Sequence, residues 1–413
     1  MSRMLWRWPI VLVVTLVSCG FYGLIWSGLL ADPQLHGIDF ISFYTAGRIA
    51  QALPLSQLYD LDQQRAVQVP IIGPDFVQGG LLPFMHPPFL APLFGLIVSD
   101  DYRASYMRWA LLLTILVAAA ALAVAARFRR GGAGRGAAAM VALGALIFYP
   151  SFIGVLKGQD TALIALGVAG CFYALATGQP LAAGLALGLT VIKPQLALSL
   201  GLPLMLTNRR AGLGFLISAG GLGLLSVALV GAGGVRGYLE LIMLSNTGVG
   251  YGLNQEAMFN VVGLTLRAVP TIDRALLSAV KWGAYLAGTG AVCWLWWSRR
   301  DRIGDRELGA AIVVALFVSP HLHFHDLSLA LIPVAALALA WHRAGGRWAV
   351  AAPLLPALAS AALLIASLLP NDMSYGATYL LQGSLLAALL AGGRPNPPPA
   401  SPENHAVPPR TAG

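Results

Sequence analysis

Five short stretches of this sequence carry groups that can move protons or hold phosphates. The first, His36-Gly37-Ile38-Asp39-Phe40, sets a carboxylate among apolar and aromatic neighbours. Such an acid can act as general base toward a hydroxyl, or it can cap a helix or bridge a loop. In Phe84-Met85-His86-Pro87-Pro88-Phe89 the paired prolines end one element and start another. His86 can meet a phosphate there or simply hold the turn. Lys157-Gly158-Gln159-Asp160 offers Gln159 and Asp160 as ligand contacts, although Asp160 is equally suited to cap a helix from Thr161. In Ile192-Lys193-Pro194-Gln195 a lysine interrupts an apolar run and needs a counter-charge. A lipid-linked phosphate would serve, and so would Asp160 or Asp39. The fifth stretch, Ser319-Pro320-His321-Leu322-His323-Phe324-His325-Asp326, alternates three histidines, which an extended chain turns to one side. A metal, a phosphate, a proton relay and structural packing all remain open for the three histidines, His321, His323 and His325.

These groups gain meaning from the elements around them. Of the 413 residues, 57% are hydrophobic and only 10% charged, against roughly 25% charged in soluble domains. Apolar runs recur near residues 9–30, 88–98, 105–126, 136–156, 160–177, 180–206, 211–232, 276–297, 308–320, 326–341, 347–369 and 376–391. A membrane span takes about 20 such residues. The expected fold is therefore an all-α polytopic membrane protein of roughly 11–13 spans. The run 88–98 is too short for an ordinary span, and 180–206 should break at Lys193-Pro194. Ionisable groups at membrane depth are costly, which makes each of the five stretches a functional candidate.

The net charge of +9 comes largely from arginines between apolar runs: Arg3/Arg7, Arg127/Arg129/Arg130/Arg135, Arg209/Arg210, Arg299/Arg300/Arg302 and Arg343/Arg347. That is the positive-inside pattern, and no basic face with interleaved aromatics suggests nucleic acid. It places a long first outer loop at about 31–87 and a second at 233–275. Within the first, 59–69 can form a short amphipathic helix. Residues 1–391 read as one membrane domain, and 392–413 as a disordered Pro-rich tail. Cys19, Cys171 and Cys293 each sit in an apolar run without ligand spacing. Leu16-Val17-Ser18-Cys19 has the look of a lipoprotein cleavage box, but the apolar run continues to Leu30, which favours an uncleaved first helix.

The order of these stretches resembles the polytopic GT-C-type glycosyltransferases, specifically glycosyltransferase family 87. The resemblance rests on Asp39-Phe40 with Tyr44 and Ala46, Leu58-Tyr59, His86-Pro87-Pro88, Gly158-Gln159, Gly184 with Gly188, Lys193-Pro194, Asn254-Gln255 with Arg267, and Ser319-Pro320. This chain departs from the pattern in two places. Glu256 follows Asn254-Gln255 where the family often has serine, and His86 stands where it often has tyrosine.

The resemblance implies a GT-C-like bundle in a bacterial inner membrane, working on its outer, periplasmic side. The donor would be a polyprenyl-phosphate hexose, with mannose the first expectation. The acceptor would be a hydroxyl of an envelope lipid or glycan, and transfer would proceed with inversion. Asp39 would be the general base. His86, Gln159, Asp160, Lys193, Asn254, Gln255, Arg267, His321 and His323 would bind substrate. No cofactor or divalent metal is expected. A departing phosphate already carries charge and needs cations more than a proton, which suits Lys193, Arg267, His321 and His323. No phosphate-cradling glycine loop favours a nucleotide sugar. The alternatives are a secondary transporter or lipid flippase, and a non-catalytic assembly subunit. A transporter would share the broken helices, but no internal repeat is visible.

Overall fold

The computed structural model describes residues 7–35, 38–74, 81–246, 254–300 and 303–391, Asn246 only as the end of its helix. His36, Gly37 and the Pro-rich tail expected from residue 392 lie outside the described residues. The described residues are helical throughout, without strands, as the apolar runs require.

The chain starts with α1 (Arg7–Ala31), a single long apolar helix at the periphery. Leu16 and Leu24 on it are 71% and 69% exposed, a surface suited to lipid rather than water. The stretch expected as the first outer loop contains α2 (Phe40–Ala52) and α3 (Leu61–Ile72), and α4 (Leu90–Ile97) follows it. The expected amphipathic helix is α3, displaced by a few residues. Asp60 starts it by accepting from the backbone N–H groups of Asp62 and Gln63. Two buried glutamines of α3 then pin an extended strap. Gln64 donates to Leu58 O at 2.8 Å and accepts from Phe84 N at 2.8 Å, and Gln68 bonds both backbone groups of Leu82. The short run near 88–98 is α4, which packs on α2.

Next come α5 (Tyr102–Arg130), α6 (Arg135–Leu146), α7 (Tyr149–Lys157) and α8 (Thr161–Ala176). The run 136–156 does not form one straight span, because α6 and α7 meet at a 40° bend. A bend at membrane depth frees backbone groups that must find partners. Here Tyr22 and Ser360 both donate to Ile147 O at 2.7 Å, and Ser360 Oγ accepts from Tyr149 N at 3.0 Å. The run 180–206 breaks as expected, into α9 (Pro180–Leu187), a 3-10 turn over Gly188–Ile192, and α10 (Pro194–Thr207).

The remaining helices are α11 (Arg209–Phe215), α12 (Gly221–Asn246), α13 (Val261–Ala268), α14 (Arg274–Ser298), α15 (Asp305–Val318), α16 (Leu331–Ala344), α17 (Gly346–Ala351), α18 (Leu355–Leu368) and α19 (Asn371–Ala391). The helical stretch through α11 and α12 is kinked at Gly231 (φ +64°), close to residue 233, where the second outer loop was expected to begin, and helix resumes beyond the kink to Asn246. Among the described residues, five helical stretches are long and apolar enough to cross a membrane, and the α6–α7 pair is a sixth. The other apolar runs are shorter or more polar helices. The 3-10 turn Phe324–Ala330 and α16 form the most enclosed span.

Close helix crossings depend on small residues. Gly184 of α9 lies against the backbone of α11, so that an added Cβ would overlap Ala211 O. Gly184→Ala should lower stability by about 1–3 kcal/mol, read as a lower unfolding temperature in detergent. Gly23→Ala, where an added Cβ meets nothing, should leave that temperature unchanged or raise it.

Candidate functional site

Two of the five stretches meet at Asp39. Asp39 occupies the N-cap position of α2 and Asp160 that of α8, yet neither carboxylate caps its helix. Asp39 Oδ2 instead accepts from Gln159 Nε2 at 2.7 Å, and Asp39 N donates to Lys157 O at 2.9 Å. The loop that carries Gln159 is fixed from α5. Trp109 Nε1 donates to Gly158 O at 2.8 Å and Tyr106 OH to Leu156 O at 2.9 Å. Gly158 has φ +71°, and a Cβ there would come within 2.7 Å of Phe40 Cβ. Only glycine lets this turn lie against the start of α2. Asp39 itself remains partly exposed.

Asp160 faces the other way and is completely buried, with Oδ2 2.9 Å from His86 Nδ1. His86 is placed by the strap: Tyr59 OH donates to its carbonyl at 2.7 Å, and Phe43 lies against its ring at 4.7 Å between centroids. The capping role open for Asp160 is thus not the one its side chain adopts.

Lys193, 7% exposed, finds its counter-charge in Asp326, not in Asp39 or Asp160. The Asp326 carboxylate also accepts from His323 N at 3.0 Å and lies 3.7 Å from His325 Nε2. Both partners sit at helix breaks, Lys193 before Pro194 and Asp326 in the 3-10 turn. His321, His323 and His325 follow one another in a row, the first pair edge-to-face and the second tilted, with centroid separations of 4.8 and 5.9 Å. Burial pushes the His321 ring well below the ordinary histidine range, with His323 adding to the effect; burial also lowers His323. Both rings are therefore neutral donors or acceptors at neutral pH. Among the described residues no three His, Cys, Asp or Glu side chains are arranged to hold a metal ion.

The two halves form one polar region. His323 feels the charges of Asp39, Asp326 and Lys193, and Asp160 feels Lys193 and Asp326. Asp39, His86, Gln159, Asp160, Lys193, His321 and His323 are thus brought together. Asn254, Gln255 and Arg267 belong to the surrounding layer. Exposed Asn254 caps the turn Gln255–Ala257 by accepting from Ala257 N. Arg267 donates to Glu256 O and Met258 O, and its guanidinium lies 3.1 Å from the Tyr375 ring centroid. This braces the segment that supports the histidines, where Phe259 N bonds Leu322 O and Asn260 Nδ2 bonds Ser319 O. Asn260 was not singled out from sequence, and His325 and Asp326, although part of the fifth stretch, were given no binding role of their own. An acid three residues after His323 is a helix-start signal that marks Asp326.

The model of glycosyltransferase family 87 matches residues 84–320, more than half of the chain. The chain belongs to glycosyltransferase family 87. It is therefore a membrane glycosyltransferase of the GT-C type. The family 87 match includes His86, Gln159, Asp160, Lys193, Asn254, Gln255 and Arg267; Asp39, His321 and His323 lie outside it. None of the curated proteins matches the chain.

Removing one partner of a buried ion pair costs roughly 3–5 kcal/mol, whereas replacing both with apolar groups is often neutral. Lys193→Met alone should therefore sharply lower the unfolding temperature of this family 87 protein. Lys193→Met combined with Asp326→Leu should restore most of it. A single variant as stable as wild type would mean that the pair is solvated.

Proposed function

We propose that this glycosyltransferase moves a hexose, mannose in the first instance, from a polyprenyl-phosphate donor to a hydroxyl on the outer side of a bacterial inner membrane. The observation that carries the reading is the Asp39 carboxylate. It is partly exposed, released from capping and oriented by Gln159, beside the buried Lys193 and histidine region. In the proposed reaction Asp39 takes the proton of the acceptor hydroxyl while its oxygen attacks the anomeric carbon. The bond from that carbon to the phosphate oxygen breaks on the opposite face, giving inversion. The polyprenyl phosphate leaves with its negative charge, stabilised by Lys193 and by N–H donors of His321 and His323. His86, held by the buried Asp160, is a further proposed contact for substrate. An envelope lipid or glycan is the proposed acceptor.

The outcome for Asp39→Asn is set by chemistry, since the amide keeps the Gln159 neighbourhood but cannot take a proton. Transfer from polyprenyl-phosphate hexose should fall by about 10²–10⁴-fold. Asp60→Asn, which preserves a helix cap, should stay near wild type at matched expression. Turnover with a nucleotide sugar alone, or full activity of Asp39→Asn, would defeat the reading.

The proposed sidedness has its own test. Ala66 of α3 is exposed. Ala66→Cys should react with a membrane-impermeant maleimide added to intact spheroplasts. Reaction only after the opposite face is opened would reverse the orientation.

A further inference from the structure

The end of the bundle that carries the arginine clusters holds a second polar centre, separate from the one around Asp39. The C-terminal end of α5, the N-terminal end of α15 and the C-terminal end of α16 meet there on one carboxylate. Arg127 donates to Asp305 through Nε and Nη2 at 2.9 and 2.5 Å, and Arg343 Nη1 reaches Asp305 Oδ2 at 2.9 Å. Arg127 is buried, 6% exposed. Beside this group opens a cavity of about 390 Å³, within the roughly 300–1,000 Å³ range of small-molecule sites.

The lining divides by chemistry. Phe172, Leu204, Trp296 and Leu308 give it an apolar, buried wall. Arg300 and Arg343, both exposed, stand at the outer part with Arg127 behind them. Tying the helices together requires only Arg127 and Asp305, which already form a bidentate pair. Arg300 and Arg343 exceed that need. Ends of α8, α10 and α14 present carbonyl groups nearby, which offsets part of the positive charge. Three guanidiniums against one carboxylate still leave a cationic mouth above an apolar wall.

We propose that this cavity binds an anionic phospholipid, its phosphate held by Arg300 and Arg343 and the start of an acyl chain lying against Trp296 and Leu308. Basic pockets between spans on the arginine-rich face of a membrane protein are placed where anionic headgroups lie. The combination of fixed cations and apolar wall matches an amphiphile better than a free anion. The site is independent of the proposed transfer reaction.

The test is a native mass spectrometry titration of the purified full chain with phosphatidylglycerol, phosphatidylcholine or inorganic phosphate. Phosphatidylglycerol should bind in preference to phosphatidylcholine. Arg300→Gln and Arg343→Gln should each weaken it about fivefold. Arg347→Gln, on the same end but outside the cavity, should not. Asp305 keeps both bonds from Arg127 in Arg343→Gln, so folding is preserved, and an unchanged unfolding temperature without lipid would verify it. Equal binding of phosphatidylcholine, or wild-type affinity in both cavity variants, would overturn the proposal. So would inorganic phosphate displacing phosphatidylglycerol at comparable concentration, which would make the cavity a site for free phosphate.

Discussion

A lysine ammonium and an aspartate carboxylate enclosed by apolar protein hold each other in place, because separating them strands a charge where water cannot reach it. Lys193 and Asp326 are such a pair, and much of the candidate site depends on them. Lys193 can turn inward because its helix is interrupted at Pro194. Asp326 can meet it because the chain enters α16 through a 3-10 turn instead of a regular helix. The same carboxylate holds the backbone of His323, and so positions the row of histidines. One ion pair thus fixes two broken elements and the polar surface between them.

Around this pair, the acids nearest the break points are kept from their local tasks. Asp39 and Asp160 both stand where a carboxylate ordinarily caps a helix, and both turn instead to distant partners, Gln159 and His86. The Gly158 turn makes this possible by allowing the chain between them to lie against Phe40. The aromatic residues of α5 supply rigidity, their polar tips holding the carbonyls of Leu156 and Gly158. The clamp of Gln64 and Gln68 does the same for the strap that bears His86.

Much of this was legible in the sequence, where local chemistry spoke for itself. The apolar runs fixed the fold class, the Lys193-Pro194 break followed from proline chemistry, and the buried lysine announced its need for a partner. The partner's identity was not legible, because it lies 133 residues away and Asp39, Asp160 and Asp326 were equally acidic on paper. The role of Asp160 stayed open between ligand contact and capping for the same reason: its local capping signal is real, but the side chain turns to His86, distant in sequence. Arg267 became a phosphate-ligand candidate through the family resemblance, not through any local signal. Its contacts with Glu256 O, Met258 O and Tyr375, which brace the segment beneath the histidines, were not legible because Tyr375 lies far along the chain. The bend at Ile147 was hidden because Tyr22 and Ser360, which satisfy it, are distant in sequence.

The chain is a family 87 membrane glycosyltransferase with one polar centre around the Lys193–Asp326 pair and another where Arg127 and Arg343 meet Asp305. The central claim is that the first of these centres is where donor phosphate and acceptor hydroxyl meet. The most direct measurement is a cryo-electron microscopy structure with the reaction's by-product, polyprenyl phosphate, bound. The account predicts phosphate density against Lys193, His321 and His323, with the Asp39 carboxylate facing the space the sugar would fill. Phosphate density away from this cluster, with Asp39 facing no substrate space, would contradict it.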